Sequence, residues 1–373
     1  MTAVLRWGYF PSDFRFRFSH ASASRSATSN IIVEVRGQDG ICGYGEGCPR
    51  KYVTGETEET AAAFVLEHGA AFVSAGIDLA AIQSWIDRHE TQISKNPAAF
   101  AAMEQALLDM LARKAEKSIE GYLGYSSELG HVQYSAVLGD SSPMKTGLAA
   151  LAYSMVGFTS FKIKLSTDLT RDQRKISWLP KHAKIRVDAN NLWHEADTCI
   201  EHIGSVRREI WGIEEPLAVG DIAGMQRVSL KLNAAIILDE SLVTQSQLDH
   251  YAKLPGRWIA NIRVSKCGGL LRSIALANAA QAQGMDVILG AHVGETSLLT
   301  RSAITVGNVL KMPPLAREGA FGTFFLKNDI SRRSLTFGRS GVLQPSRFDL
   351  AGNLGFGVAV DPDRVSWATG VVA

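Results

Sequence analysis

Lys184-Ile185-Arg186-Val187-Asp188, Trp211-Gly212-Ile213-Glu214 and Ala235-Ile236-Ile237-Leu238-Asp239 are mainly apolar runs, each ending on an acid. Asp188 to Glu214 spans 26 residues and Glu214 to Asp239 spans 25, and Lys164 stands 24 residues before Asp188. One such interval holds a short strand, a turn and a helix, so each is one βα unit. The same alternation extends in both directions, with further strands expected at His131 to Leu138, Ser160 to Leu165, Trp258 to Val264, Asp286 to Leu289 and Leu315 to Phe321. Eight strands close a (β/α)8 TIM-type barrel, and the fold class is therefore α/β. An open doubly wound sheet is the rival, but no G-x-G-x-x-G or G-x-x-x-x-G-K-[ST] follows any of these strands.

Upstream the period changes. Phe14, Phe16 and Phe18 alternate with Arg15 and Arg17, as in a half-buried strand. Ile31 to Val35 and Ile41 to Gly45 flank Asp39-Gly40 and predict a hairpin. Helices are expected over 56–73 and 78–89, and Asn96-Pro97 starts a third whose Phe100, Met103, Leu107, Met110 and Leu111 share one face. The expected organisation is an α+β capping (lid) domain over 1–128, a catalytic barrel over 129–341, and a segment over 342–373 that returns to the cap.

The 373 residues exclude a small disulfide-stapled module. Lys+Arg 39 against Asp+Glu 37 leaves a formal charge of +2, which excludes the basic excess of a nucleic-acid or anionic-membrane binder. Cys42, Cys48, Cys199 and Cys267 show no C-x-x-C pair, and no run of 18 apolar residues occurs. The expectation is a cytoplasmic protein with reduced thiols, without nucleic-acid or membrane partners; a homo-oligomer is left open.

Active sites of such barrels lie at the C-terminal ends of the strands, where Asp188, Glu214 and Asp239 stand. Three carboxylates converging there repel one another unless a cation sits among them, and a hard divalent ion, Mg2+ before Mn2+, suits an all-oxygen site. Glu214 and Glu215, like Asp239 and Glu240, are neighbours of which one of each pair is expected to face inward. Phe161-Lys162-Ile163-Lys164-Leu165 sends two ammonium groups to one face of a strand. Inside a barrel, burial and mutual repulsion lower a lysine pKa, which makes an amine a usable base.

Lys-Ile-Lys, Val-Asp-Ala-Asn, Ile-Glu-Glu-Pro, Leu-Asp-Glu-Ser and Cys-Gly-Gly, in that order, resemble the mandelate racemase/muconate cycloisomerase (muconate lactonizing) branch of the enolase superfamily. Gly43-Tyr44-Gly45-Glu46-Gly47, Pro49-Arg50 and Thr54-Gly55-Glu56 resemble its capping domain. The resemblance implies that Asp188, Glu214 and Asp239 ligate Mg2+, and that a substrate carboxylate joins them. It also implies that Lys164, beside Lys162, removes the α-proton to give a metal-stabilised enediolate.

One departure stands out. The lysine-dependent subgroup carries a second lysine on the sixth strand, five residues before Gly-Gly; here Arg263 stands there, and Lys266 falls in the turn. A guanidinium stays protonated, so Arg263 reads as an anion clamp rather than a proton acceptor. His292, in Gly290-Ala291-His292-Val293-Gly294-Glu295, is the alternative second base, or else a polar residue lining the mouth. Asn190, Glu295, Arg25 in the 19–30 loop and Tyr52 in the 48–54 loop are candidate substrate contacts, the two loops matching the family's lid. Arg317-Glu318-Gly319-Ala320-Phe321-Gly322 lacks the Asp-x-Asp with which dipeptide epimerases of this branch hold a substrate ammonium. The expected partner is a small-molecule carboxylic acid. The expected activity is racemisation, epimerisation or cycloisomerisation, with one-base dehydration, a lyase reaction, and an inactive binding relic as alternatives.

Overall fold

A computed structural model describes residues 3–20, 23–348, 350 and 353–369, with side chains at all of these except 17–20 and 23–25. Strands β1 (Ala3–His20), β2 (Ala23–Gly37) and β3 (Cys42–Gly47) form an antiparallel meander, β1 bulging between Asp13 and Phe18. Helix α1 (Glu58–Ala75) starts at a Thr57 capping box and α2 (Leu79–Arg88) at Asp78, whose side chain accepts from the Ala81 N–H. After the short α3 (Glu90–Lys95), Pro97 opens α4 (Pro97–Lys114), the central buried helix of this unit. Every second residue of β3 facing it is glycine. A Cβ at Gly43, Gly45 or Gly47 would lie 2.2, 2.1 or 2.0 Å from the carbonyl oxygens of Ala106, Ala102 and Ala98. The Gly-x-Gly-x-Gly pattern is therefore the groove into which α4 is laid.

After α5 (Ile119–Tyr122) and β4 (Val132–Gln133), the chain alternates strand and helix. The order is β5 (Ala136–Leu138), α6 (Pro143–Met155), β6 (Ser160–Lys164), α7 (Leu169–Ser177), β7 (Lys184–Asp188), α8 (Ala196–Gly204), β8 (Gly212–Glu214) and α9 (Ile222–Leu232). It continues with β9 (Ala235–Leu238), α10 (Gln245–Tyr251), β10 (Trp258–Ile262), α11 (Leu270–Ala282), β11 (Asp286–Leu289), α12 (Ser297–Val309) and β12 (Ala316–Arg317). β5 to β12 form one eight-stranded parallel sheet in chain order, and the Ser135 N–H donates to the Arg317 carbonyl at 2.9 Å, joining its two ends. This is the expected barrel.

Strand alternation sorts the two faces. Ile236, Leu238, Ala260, Ile262, Val287 and Leu289 pack outward in the main core, while Ala235, Ile237, Ile259, Ile288 and Ala316 form a separate apolar cluster within the barrel. In register, Lys162 pairs with Arg186, Lys164 with Asp188, and Asp188 with Glu214, so polar residues fill the layer towards the strands' C-terminal ends. β13 (Val342–Leu343) pairs with β4, and β14 (Ser366–Trp367) pairs with β1 at Gly8 and Tyr9, carrying the tail to the first sheet.

Cap and barrel are joined by buried acids at helix starts. Glu104 of α4 accepts from the Leu271 N–H at 2.9 Å and from the Leu270 N–H, at the start of α11. Gly269, the residue before that helix, has φ +107, supplies no side-chain cap, and a Cβ on it would meet Glu104 Oε2 at 2.4 Å. Glu46 of β3 accepts from the Thr296 N–H at 2.9 Å and the Leu299 N–H at 3.1 Å at the start of α12. Carboxyl oxygens at helix N-termini satisfy free N–H groups at the positive end of the helix dipole, while burial pushes both Glu46 and Glu104 up to about 7. Among the described residues no helix is long and apolar enough to cross a membrane.

Candidate active site

β6 presents both lysines to the barrel interior. Lys162 Nζ lies 2.8 Å from Glu214 Oε1, 3.0 Å from Asp188 Oδ2 and 3.1 Å from Glu318 Oε1. Lys164 Nζ donates to Asn190 Oδ1 at 2.6 Å and lies 3.3 Å from Asp188 Oδ2. The lowered pKa expected of this pair is corrected at Lys162. Burial pulls it down, but Asp188, Glu214 and Glu318 outweigh burial and raise it above the ordinary lysine range. Asp188 feels the converse: burial opposes its charge, yet Lys162 and Lys164 hold its carboxyl below the usual carboxylate range. Burial, with Asp188 and Glu318 nearby, raises Glu214 despite Lys162.

Glu214 faces inward, also accepting from Asn261 Nδ2 at 3.3 Å, whereas Glu215 turns away and accepts from the backbone N–H groups of Asp239 and Ser241 at 2.6 and 2.8 Å. The second adjacent pair departs from the expectation of one inward member. Asp239 is buried beneath Arg263, with which it is ion-paired, while Glu240 lies on the cavity wall, its carboxyl pushed up to about 8 by burial and by Glu215 and Asp188. Lys266 does not reach the cavity: Nζ donates to Asp239 Oδ1 at 3.0 Å and to the carbonyls of Asn261 at 2.8 Å and Leu242 at 3.2 Å. Arg263 does line it, which agrees with counting back from Gly268-Gly269.

The cavity at this end of the barrel measures about 550 Å³, and Lys162, Lys164, Asp188, Asn190, Glu240, Arg263 and Glu318 form its polar floor. Tyr52 and Phe16 reach it from the cap. His292 and Glu295 are not on its wall, which corrects their reading as mouth residues: Ala291 and Val293 face the cavity. His292 is buried with Nδ1 3.3 Å from Glu295 Oε1, and the same oxygen accepts from the His292 N–H at 2.7 Å. β11 ends at Leu289, so period 2 no longer predicts facing there. The Arg25 side chain lies outside the described residues.

Arg186 and Glu318 are additional to the expected set. Arg186, fully buried, donates to Glu318 Oε1 at 2.8 Å and to Ser135 Oγ at 2.9 Å. Burial alone would raise the Glu318 carboxyl, but Lys162 and Arg186 hold it at about 2. The signal was present for Arg186, two residues before Asp188 and hence on its face. Glu318→Gln leaves two buried cations short of one negative charge, and a loss of about 3 kcal/mol in stability is expected. An unchanged urea midpoint at pH 7 would refute that role.

Among the described residues no three Asp, Glu, His or Cys side chains are gathered at coordinating distance, because Lys162 and Arg263 stand between the acids. The donors are nonetheless carboxylate oxygens on successive strand ends, and the buried Glu214 Oε2 has no hydrogen-bond partner. That chemistry fits a hard divalent cation.

Residues 147–364 match the family described as enolase C-terminal domain-like, and residues 12–124 match the mandelate racemase/muconate lactonizing enzyme N-terminal domain. The chain belongs to the mandelate racemase/muconate lactonizing enzyme family of the enolase superfamily. Its sequence is 28% identical over 290 residues to the N-succinyl-L-Arg/Lys racemase of Bacillus cereus, covering 76% of this chain and 77% of that protein. The 2-chloromuconate cycloisomerase of Rhodococcus opacus superposes with a TM-score of 0.84 at 23% identity, over 98% of this chain and 97% of that one. A dipeptide epimerase of Enterococcus faecalis, solved with Mg and L-Leu-L-Tyr, superposes with a TM-score of 0.83 at 21% identity, over 96% and 100% of the two chains. All three relatives are isomerases by name.

Proposed function

We propose that this family member is a Mg2+-dependent isomerase that removes the α-proton of a carboxylic acid from one face, with Lys164 as the base. The observation that carries this reading is the arginine at 263. β6 and β10 are the second and sixth strands of an eight-strand ring, so Lys164 and Arg263 approach a substrate from opposite sides. A neutral amine accepts a proton, whereas a guanidinium stays charged at physiological pH. The names racemase and epimerase among the relatives favour two-sided exchange; Arg263 favours one side.

Asp188, Glu214 and Asp239 would hold Mg2+, which supplies fixed positive charge beside the substrate carboxylate. Lys164 takes the proton from the α-carbon onto Nζ, and Asn190 Oδ1, 2.6 Å away, orients that nitrogen and accepts from the ammonium formed. Lys162, with Glu318 at 3.1 Å as a counterion outside the metal donors, faces the negative charge that develops on the carboxylate oxygens. Arg263 offers planar paired donors to the other face. The electron pair left on the α-carbon then moves either into an α,β double bond as Nζ returns the proton to the γ-carbon of a β,γ-unsaturated acid, or into an α,β double bond as the C–O bond to a β-oxygen of a ring breaks and that oxygen takes up the proton; either completes a one-base isomerisation.

The test is a panel of carboxylic acids in deuterated water with Mg2+, followed by NMR. Exchange is expected in one enantiomer of the substrate; exchange in both would require a second base and overturn the reading. Loss of a β-hydroxyl in the product would move the enzyme to the dehydratase class. Arg263→Lys is expected to add exchange of the opposite enantiomer, where wild type shows none. Its absence in a folded, metal-binding variant would show that residue 263 does not face the substrate opposite Lys164.

A further inference from the structure

The cavity is divided by chemistry. Its floor is charged, while the wall towards the cap and the loop after β12 is made of Phe16, Phe321, Phe324, Phe325, Phe337 and Tyr153. These rings come from three parts of the chain and already meet edge to face. Phe16 and Phe325 centroids are 5.0 Å apart at 72°, Phe324 and Phe337 5.6 Å at 71°, and Phe324 and Tyr153 6.4 Å at 70°. Two of them remain open: Phe16 is 55% exposed and Phe324 49% exposed. Phenyl surface left open on a concave wall beside a polar floor is the arrangement of a site that buries an apolar ligand group.

The acids near that wall are already engaged. Asp140 is paired with Arg171 at 2.8 Å and Lys175 at 3.2 Å, and Glu318 with Lys162 and Arg186. Glu240, which has no ion pair among the described residues, stands just past the end of β9, the fifth strand of the ring, whereas the aromatic wall follows the eighth. A substrate ammonium would therefore meet rings rather than a carboxylate there, at the cost of its hydration. We propose that the substrate carries, beyond the reacting carbon, a large neutral apolar group, of which an aryl acyl group is the type. This rests on the α-proton reading for where the carboxylate goes. Lys145, exposed on α6 at the cavity edge, makes an acidic acyl group the competing ligand.

The experiment compares N-benzoyl amino acids, N-succinyl amino acids and dipeptides with a free ammonium, all with Mg2+. Binding is measured by calorimetry on Lys164→Ala, and α-deuterium exchange on the wild type. N-benzoyl compounds are expected to bind about tenfold or more tightly than the other two classes. Phe324→Ala should reduce that preference, and Phe324→Lys should turn it towards N-succinyl compounds. Equal or tighter binding of N-succinyl compounds or dipeptides overturns the inference, as does failure of the N-benzoyl class to bind. Selective N-benzoyl binding without exchange of any acid supports the aromatic site and instead overturns Lys164 as base. Exchange confined to charged substrates overturns the aromatic site and leaves the base standing.

Discussion

Lys164→Ala is expected to stop α-deuterium exchange, with a loss of at least about 10³-fold in rate, because no other amine on the floor is available to take the proton. Lys162, its neighbour on the same face, keeps Glu318, which is not among the Mg2+ donors, as a counterion at 3.1 Å, and does not share the Asn190 contact that orients Lys164. The fold should survive. Lys164 contacts Asn190 and Asp188 at the cavity edge, and Asp188 keeps Lys162 at 3.0 Å. Unfolding should therefore shift little while exchange disappears. Exchange persisting at more than a few per cent of wild type would move the base elsewhere.

Asp239→Asn is the second large effect. It removes one negative charge from the donor set and leaves an amide of nearly the same shape. Turnover should fall below detection, and Mg2+ affinity measured by calorimetry should drop by about 100-fold or more, since loss of even a supporting partner costs about 10–100-fold. Lys266 keeps the carbonyls of Asn261, Leu242 and Asp239 itself, so the turn after β10 retains its anchor and circular dichroism should be unchanged. Full activity of the variant without a bound divalent ion would end the assignment of Asp239 as a ligand.

The barrel was legible because its signal is periodic. Lys184–Asp188 and Asp286–Leu289 are strands at the expected bounds, each starting on an exposed charged residue and running through a buried stretch that stops at a turn. The expected strand over Leu315 to Phe321 shrinks to Ala316–Arg317, because Gly319 and Ala320, at φ +126 and +52, leave extended geometry. The start of β1 over Ala3–Asp13 was not legible: Arg6, Gly8 and Pro11 interrupt its alternation, and its closing partner, Trp367, lies at the other end of the chain. In the site, period 2 within β6 put Lys162 and Lys164 on one face, and the 24–26-residue interval lined up Asp188, Glu214 and Asp239. Facing after a strand has ended is a property of loop geometry, which is why period 2 does not place His292 and Glu295, three and six residues past the end of β11. The Arg186–Glu318 pair spans 132 residues, and nothing local in either segment announces the other.

Glu104 and Glu46 give the cap a share in the barrel's inheritance. α11 begins at a glycine that brings no capping side chain of its own, so the acid that completes it is encoded more than 160 residues earlier, in a different unit. Exchange of this cap for another is therefore expected to leave N–H groups at the starts of α11 and α12 without their acceptors unless the incoming cap carries an acid at the place of Glu104 and another at that of Glu46. Two positions remote from the cavity thereby tie this cap to this barrel, whereas Phe16 and Tyr52, which reach the cavity from the cap, can be changed one at a time without touching that junction.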